Sequence, residues 1–333
     1  MKIRLIAILL LATLGPLLGS CGKEILTTSS DRTDNDATTR VTVLVLGTAQ
    51  DGGLPHTACS CVRCERARSE PTFARNVASI ALIIERQEHT QTYIFDATPD
   101  ITDQLTMLRA FRDAPTGRVD RSPIDGVFLT HAHIGHYLGL AHFGFEVVHT
   151  QDLPVWATPK MNAFLRGNAP WEQLVGKNNV ALHDLPPGET VTLPGNVHVS
   201  AFQVPHRDEY SDTVGFRIDG AGKSLVYVPD TDQWHTWDPP LEDLLTDVDI
   251  ALLDATFYSL DELPGRDISQ VRHPLITQTM DRLQEHVDSD RLDVYFTHLN
   301  HSNPALQPES DARRQIEKRG FGVAADGQVL RLD

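Results

Sequence analysis

Thr130-His131-Ala132-His133-Ile134-Gly135-His136 follows directly on the apolar run Gly126-Val127-Phe128-Leu129. A short apolar run of this kind reads as a buried strand. Three histidines within six residues at its end would each need a polar partner if they only packed. A metal ion supplies that partner to all of them, because neutral imidazole is the commonest transition-metal ligand; a surface histidine cluster is the competing reading. In an extended turn His131 and His133 point to the same side, and the small Gly135 is expected to let the chain swing so that His136 approaches from the next helix.

Further along the chain, the same placement recurs. Val204-Pro205-His206, Tyr227-Val228-Pro229-Asp230 and Tyr295-Phe296-Thr297-His298 each put a metal-ligating side chain just past an apolar strand pattern. Singly, such residues are usually turn or cap residues; together they suggest one site fed from several strand ends. A second cluster is Cys59-Ser60-Cys61-Val62-Arg63-Cys64. Three cysteines so close cannot form a disulfide framework, and in C-x-C-x-x-C spacing they supply three quarters of a tetrahedral zinc site. Reactive or disulfide-paired thiols are the alternative.

The surrounding pattern is layered α/β. Val41 to Leu46 reads as a strand entering the glycine-rich turn Gly47-Thr48-Ala49-Gln50-Asp51-Gly52-Gly53, and strands follow at Ala78 to Ile84 and at Thr92 to Phe95, where Asp96 ends the run. Helical spacing over Ile101 to Arg112 puts Leu105, Leu108 and Phe111 on one side. In the second half, strands are expected at Val197 to Val204, Thr213 to Ile218, Ser224 to Val228, Ile250 to Leu253 and Val294 to Phe296. Helices are expected over Pro274 to His286 and Pro308 to Lys318, each opened by proline in the first turn. Two mixed sheets flanked by helices follow, with polar loops gathered on one edge.

At the N-terminus, Lys2 and Arg4 precede the apolar run Leu5 to Leu18, which ends in Leu18-Gly19-Ser20-Cys21. This pattern is that of a secretory signal, too short to span a membrane as a mature helix. The ending resembles a bacterial lipobox, so residues 1–21 are expected to be a lipoprotein signal with Cys21 lipidated. Residues 22–40 are polar and read as a flexible tether, leaving 41–333 as the folded domain. The expected location is the bacterial cell envelope, reached by export and held through the lipid; Gly22 implies the outer membrane in a Gram-negative host. With 29 basic against 45 acidic residues, the formal charge is -16. So acidic a chain argues against nucleic acid as a partner and for a soluble, lipid-tethered domain; the expected partner is a small-molecule substrate.

The order of these residues resembles the metallo-β-lactamase superfamily, whose signature is H-x-H-x-D-H after a strand, then a distant histidine, an aspartate and a last histidine. The resemblance spans roughly 41–333 and implies a four-layer αββα sandwich. It also implies a first metal site of His131, His133 and His206, a second of His136 and His298, and Asp230 bridging the two. Within the superfamily, the glycine turn, the cysteine loop and His298-Leu299-Asn300-His301 resemble the cyclic phosphodiesterases of phosphonate breakdown and the pyrroloquinoline-quinone biosynthesis protein B group. The former implies Cys59, Cys61, Cys64 and His301 as a structural zinc site. The segment Asp254-Ala255-Thr256-Phe257, with Gly265-Arg266-Asp267 and His273, leans toward the latter.

Gly135 stands where the signature has aspartate, which is expected to weaken the second site. The implied activity is metal-dependent hydrolysis of an ester, phosphoester or amide through a metal-bound hydroxide, with Asp230 and His136 as the catalytic candidates. One or two zinc ions are expected there, with iron or manganese as alternatives. His273 and His56 are the candidates for substrate contact. A metal-dependent oxidoreductase like the quinone-biosynthesis group, and a non-catalytic binding protein on the same fold, stand as the other readings.

Overall fold

The structure is a computed structural model that describes residues 39–87, 89–111, 122–262 and 272–333. Cys21, most of the 22–40 tether, Arg112 and the Gly265-Arg266-Asp267 motif lie outside these residues. Fourteen strands form two seven-stranded sheets among the described residues. The first holds β1 (Arg40–Gly47), β2 (Ser79–Arg86), β3 (His89–Phe95), β4 (Gly126–Phe128), β5 (Leu153–Ala157), β6 (Val180–Asp184) and, beside β1, β14 (Val329–Arg331). The second holds β7 (Thr190–Leu193), β8 (Val197–Gln203), β9 (Val214–Asp219), β10 (Ser224–Val228), β11 (Ile250–Asp254), β12 (Asp293–Thr297) and β13 (Gly322–Val323).

Strand alternation builds three apolar layers. Val41, Val43 and Val45 of β1 face the space between the sheets, as do Leu225 and Tyr227 of β10. Leu44 and Leu46 face outward against helix α2 (Ile101–Leu108), and Val226 and Val228 face outward with Ile276, Met280 and Leu283 of helix α7 (Ile276–Asp288). Both faces of the central strands are therefore covered, which is why they read as continuous apolar runs. The result is the αββα sandwich. Phe95 stacks on Phe128 at 4.8 Å and meets Phe216 of the opposite sheet edge-on at 5.2 Å. These rings tie the sheets together directly beneath Asp96 and Thr130.

Strand direction decides where the loops go. β1 and β2, and β2 and β3, are antiparallel, while β3 and β4 are parallel, so β1, β3 and β4 run the same way. β8 and β9, and β9 and β10, are antiparallel, while β10, β11 and β12 are parallel, so β8, β10, β11 and β12 also share a direction. The residues just past the ends of each set therefore collect at one edge of their sheet. Two helix starts differ from expectation: α7 opens at Ile276, two residues after Pro274, and helix α8 (Asp311–Lys318) opens after Ser310, whose hydroxyl accepts from the Arg313 N–H. A serine that caps the free N–H groups fixes the start more strongly than Pro308 does.

Candidate functional site

His131 and Asp96 follow β4 and β3, His206 and Asp230 follow β8 and β10, and His298 follows β12. His136 comes from the short helix α3 (Ile134–Tyr137), as expected, and all five histidines meet Asp230 or one another at this edge. His131, His206, Asp230, His136 and His298 are buried, and His133 is nearly so.

Each ring has its outer nitrogen tied to an acceptor. A carboxylate only accepts, so His136 Nδ1 donates to Asp96 at 2.6 Å, His206 Nδ1 to Asp232 at 3.2 Å and His133 Nε2 to Glu209 at 3.0 Å. The Thr130 hydroxyl donates to Asp96 and so offers its lone pair to His131 Nδ1 at 2.9 Å; Thr256 donates to Asp254 and does the same for His298 Nδ1 at 3.0 Å. In the neutral rings, five nitrogen lone pairs then point inward. Lone pairs repel unless a cation lies among them, and outer partners of this kind are what metal-ligating histidines have.

Spacing agrees with that reading. Ligands about 2.0–2.1 Å from a tetrahedral zinc lie about 3.3 Å apart. His131 Nε2 and Asp230 Oδ2 are 3.4 Å apart, His206 Nε2 and Asp230 Oδ2 3.2 Å, and His133 Nδ1 and His206 Nε2 3.2 Å. The buried Nε2 atoms of His136 and His298, with Oδ1 of Asp230 and of Asp51, have no hydrogen-bond partner. Orphaned buried polar atoms are rare, and four at one place fit an absent ion. The donor set therefore fits a zinc-type metal.

Electrostatics follow the same geometry. Burial opposes charge on His206, yet Asp230 and Asp232 outweigh it and raise the imidazole to about 9. Burial likewise opposes charge on His136, and Asp96 and Asp51 overcome it, holding the ring well above its ordinary value. His131 moves the other way: burial, with the His136 charge beside it, keeps it well below the ordinary range. Burial raises Asp230, but the surrounding imidazoles win and hold it well below the usual carboxylate range.

Asp96 and Asp254 are the supporting residues that motif reading missed. Asp96 is fully buried and also accepts from the Thr130 N–H at 2.8 Å; Asp254 accepts from the N–H groups of Thr231 at 3.0 Å and Thr256 at 2.8 Å. Asp96 and His298 hold φ of 68° and 60°, left-handed values that cost of order 1 kcal/mol or more each and are common where a fold positions reactive groups. In the sequence, Asp96 shows only as a carboxylate at the end of an apolar strand, and Asp254 only as the first residue of the segment Asp254-Ala255-Thr256-Phe257, with no supporting role attached to either.

His273 joins the cluster, with Nδ1 2.8 Å from Asp254 and 3.4 Å from Asp230. His56 does not. Its backbone N–H points to Cys64 Sγ at 3.3 Å and its ring packs 4.4 Å from that of His301, so it is part of the cysteine loop. There the ligand atoms of Cys59, Cys61 and His301 lie within 4.8 Å of one another, while Cys64 is the buried thiol beside them; all three thiols are free. Gly135 lies in the helix that carries His136 and does not hold a positive φ. A Cβ at 135 would lie 2.0 Å from Asp51 Oδ1.

An αββα sandwich with a histidine and aspartate metal centre at one sheet edge defines the class. Residues 91–310 match the model of the beta-lactamase superfamily domain, and the chain belongs to that family. It is 29% identical over 310 residues to a coenzyme PQQ synthesis protein B of Methylobacterium sp. (strain 4-46), covering 87% of this chain and 99% of that one. A protein of the same description from Rhodopseudomonas palustris (strain TIE-1) is 28% identical over 320 residues, with the same coverage. Zinc-bound PqqB from Methylobacterium extorquens superposes with a TM-score of 0.72 at 25% identity, over 87% of this chain and 99% of that one. A diphosphatase of the PhnP family superposes with a TM-score of 0.61 at 22% identity, over 88% and 97%, a likeness of fold. The chain is thus a metallo-β-lactamase-superfamily protein that is similar to PqqB in sequence and fold.

The expected signal peptide, lipidated Cys21 and membrane anchor are corrected here, because neither the structure nor the similar proteins support them. Cys21 lies outside the described residues, and among the described residues no helix is long and apolar enough to cross a membrane.

Proposed function

We propose that the protein is a metal-dependent hydrolase acting on an ester, phosphoester or amide of a small molecule. The observation that carries this reading is the convergence of five imidazole lone pairs and Asp230 on one pocket, each ring held by an outer acceptor. His131, His133 and His206 would hold one ion, His136 and His298 a second, with Asp230 between them. A bound zinc-type ion would activate water near neutral pH and polarise the bond to be cleaved. The chain's own part is to orient and to move protons. Asp230 Oδ1, which has no hydrogen-bond partner and lies 3.4 Å from His273 Nδ1, can orient the attacking water as an acceptor. His273, held by Asp254 and, like His133, 14% exposed, is placed to meet substrate.

One observation favours a second reading, a metal-dependent oxidoreductase: the sequence likeness to coenzyme PQQ synthesis protein B runs along 87% of the chain. Both readings are tested by purifying the full chain, measuring bound metal, and assaying phosphodiester, ester and amide substrates with and without oxygen. Oxygen-independent hydrolysis lost on chelation and restored by zinc is expected. Turnover only with oxygen uptake would select the second reading. Metal binding with no turnover in either arm would leave a binding protein.

A further inference from the structure

We infer that Asp51, from the glycine-rich turn after β1, supplies the second metal site with the carboxylate that position 135 lacks. The assignment rests on the metal-centre reading above and extends it to a residue outside the histidine motif. Three buried atoms without hydrogen-bond partners define the place: Asp51 Oδ1, His136 Nε2 and His298 Nε2. Asp51 Oδ1 is 3.5 Å from His136 Nε2 and 3.9 Å from His298 Nε2. These separations are slightly wider than the roughly 3.3 Å between tetrahedral zinc ligands. Asp230 Oδ2, 3.8 Å from His136 Nε2, closes the set on the side of the first site.

Local structure explains why a turn residue reaches this point. Ala49 forms a bridge with Leu299; the Gln50 N–H donates to the Leu299 carbonyl at 3.0 Å and the Leu299 N–H to the Thr48 carbonyl at 2.8 Å. The turn is thereby fastened to the residue next to His298. Gly53, at φ +66°, and its bond to the Gln50 carbonyl at 2.8 Å close the turn, leaving Asp51 aimed at the histidines.

Gly135 is the other half of the arrangement. A Cβ built there would lie 2.0 Å from Asp51 Oδ1, 2.8 Å from its Cγ and 2.9 Å from its Cα. The carboxylate of Asp51 fills the volume that any side chain at 135 would enter, so glycine at 135 and aspartate at 51 are one steric solution. The ligand has moved to another loop.

The test is zinc retention by the full chain after equilibrium dialysis, with affinities from chelator competition, in the native protein and in Asp51→Asn, Gly135→Ala, His136→Ala and His133→Ala. Asp51→Asn keeps the shape and removes the charge; it should weaken the second zinc about 100-fold, at or beyond the upper end of what loss of an outer-shell partner gives. Gly135→Ala adds no ligand and no charge, yet its methyl should displace Asp51 and weaken the same zinc, with the first site intact. Native-like affinity in Asp51→Asn, with metal-free melting unchanged, would overturn the assignment. So would a native protein that retains no more zinc than His136→Ala. Loss of the broader reading looks different: His133→Ala would then retain as much zinc as the native protein.

Discussion

Replacing Asp96 with asparagine should loosen metal binding through a residue whose carboxylate is spent entirely on orienting its neighbours. Its oxygens accept from the Thr130 N–H at 2.8 Å, from the Thr130 hydroxyl at 2.9 and 3.0 Å and from His136 Nδ1 at 2.6 Å. Asparagine keeps one acceptor oxygen and turns the other into a donor. If the NH₂ meets His136, the ring must accept at Nδ1 and carry its proton on Nε2, the buried atom that faces the pocket without a partner. If the NH₂ meets Thr130, a backbone N–H loses its acceptor. Loss of such an outer partner costs about 10–100-fold in metal affinity, and one lost charge-assisted bond costs about 1.5–3 kcal/mol of stability. Chelator competition measures the first and thermal melting of the metal-free protein the second. Thr130→Val serves as the comparison, since it removes the partner of His131 Nδ1 and leaves the Asp96 to His136 bond. Reduced stability in Asp96→Asn with native metal affinity would refute the claim that Asp96 sets the His136 tautomer.

Three further outcomes are expected. His133→Ala should lose metal from the first site and all turnover with little loss of fold, because the side chain lies at the edge of the buried cluster; native metal content in that variant would contradict the ligand set. In the zinc-free protein, mass-resolved alkylation should reach Cys61 first and Cys64 last: burial raises Cys61, but N–H and thiol donors around it win and lower it, whereas burial pushes Cys64 up to about 12. Zinc should slow alkylation at Cys61, and equal rates with and without zinc would count against a site of Cys59, Cys61, Cys64 and His301. Burial also pushes Asp326 up to about 6, against donors from Asn76 and Thr48. Its native form therefore binds a proton more readily than the unfolded chain, and its contribution to stability should grow as pH falls through 6. From pH 7 to pH 5 the metal-free protein should gain about 1.4 kcal/mol from this group relative to Asp326→Asn. No difference in the two slopes by denaturant titration would remove that account.

The fold was legible because the inner strands are buried on both faces and so betray themselves as apolar runs, as Val41 to Leu46 and Ser224 to Val228 do. Metal-ligating candidates were legible for a related reason: an imidazole or carboxylate just past such a run stands out against it. Asp96 and Asp254 stood in the same position and still escaped, since a carboxylate there caps turns as often as it orients a ring, and only the partners across space distinguish the two. His56 went the other way, because nearness in sequence to the glycine turn gave no sign that its ring would pack on His301.

Asp51 and Gly135 show the deeper limit. Along the chain, glycine in place of the signature aspartate is a deletion of charge and ligand, and the turn at 51 is 84 positions away in sequence. A metal site, however, is a requirement on a small volume, and any loop that the fold brings to that volume can meet it. β1 ends at the same sheet edge as β4 because an even number of antiparallel reversals separates β1 from β3, and the bridge from Ala49 to Leu299 sets the height of the turn. Given that placement, an aspartate retained at 135 would compete with Asp51 for the same space, and the small residue at 135 becomes a requirement of the arrangement.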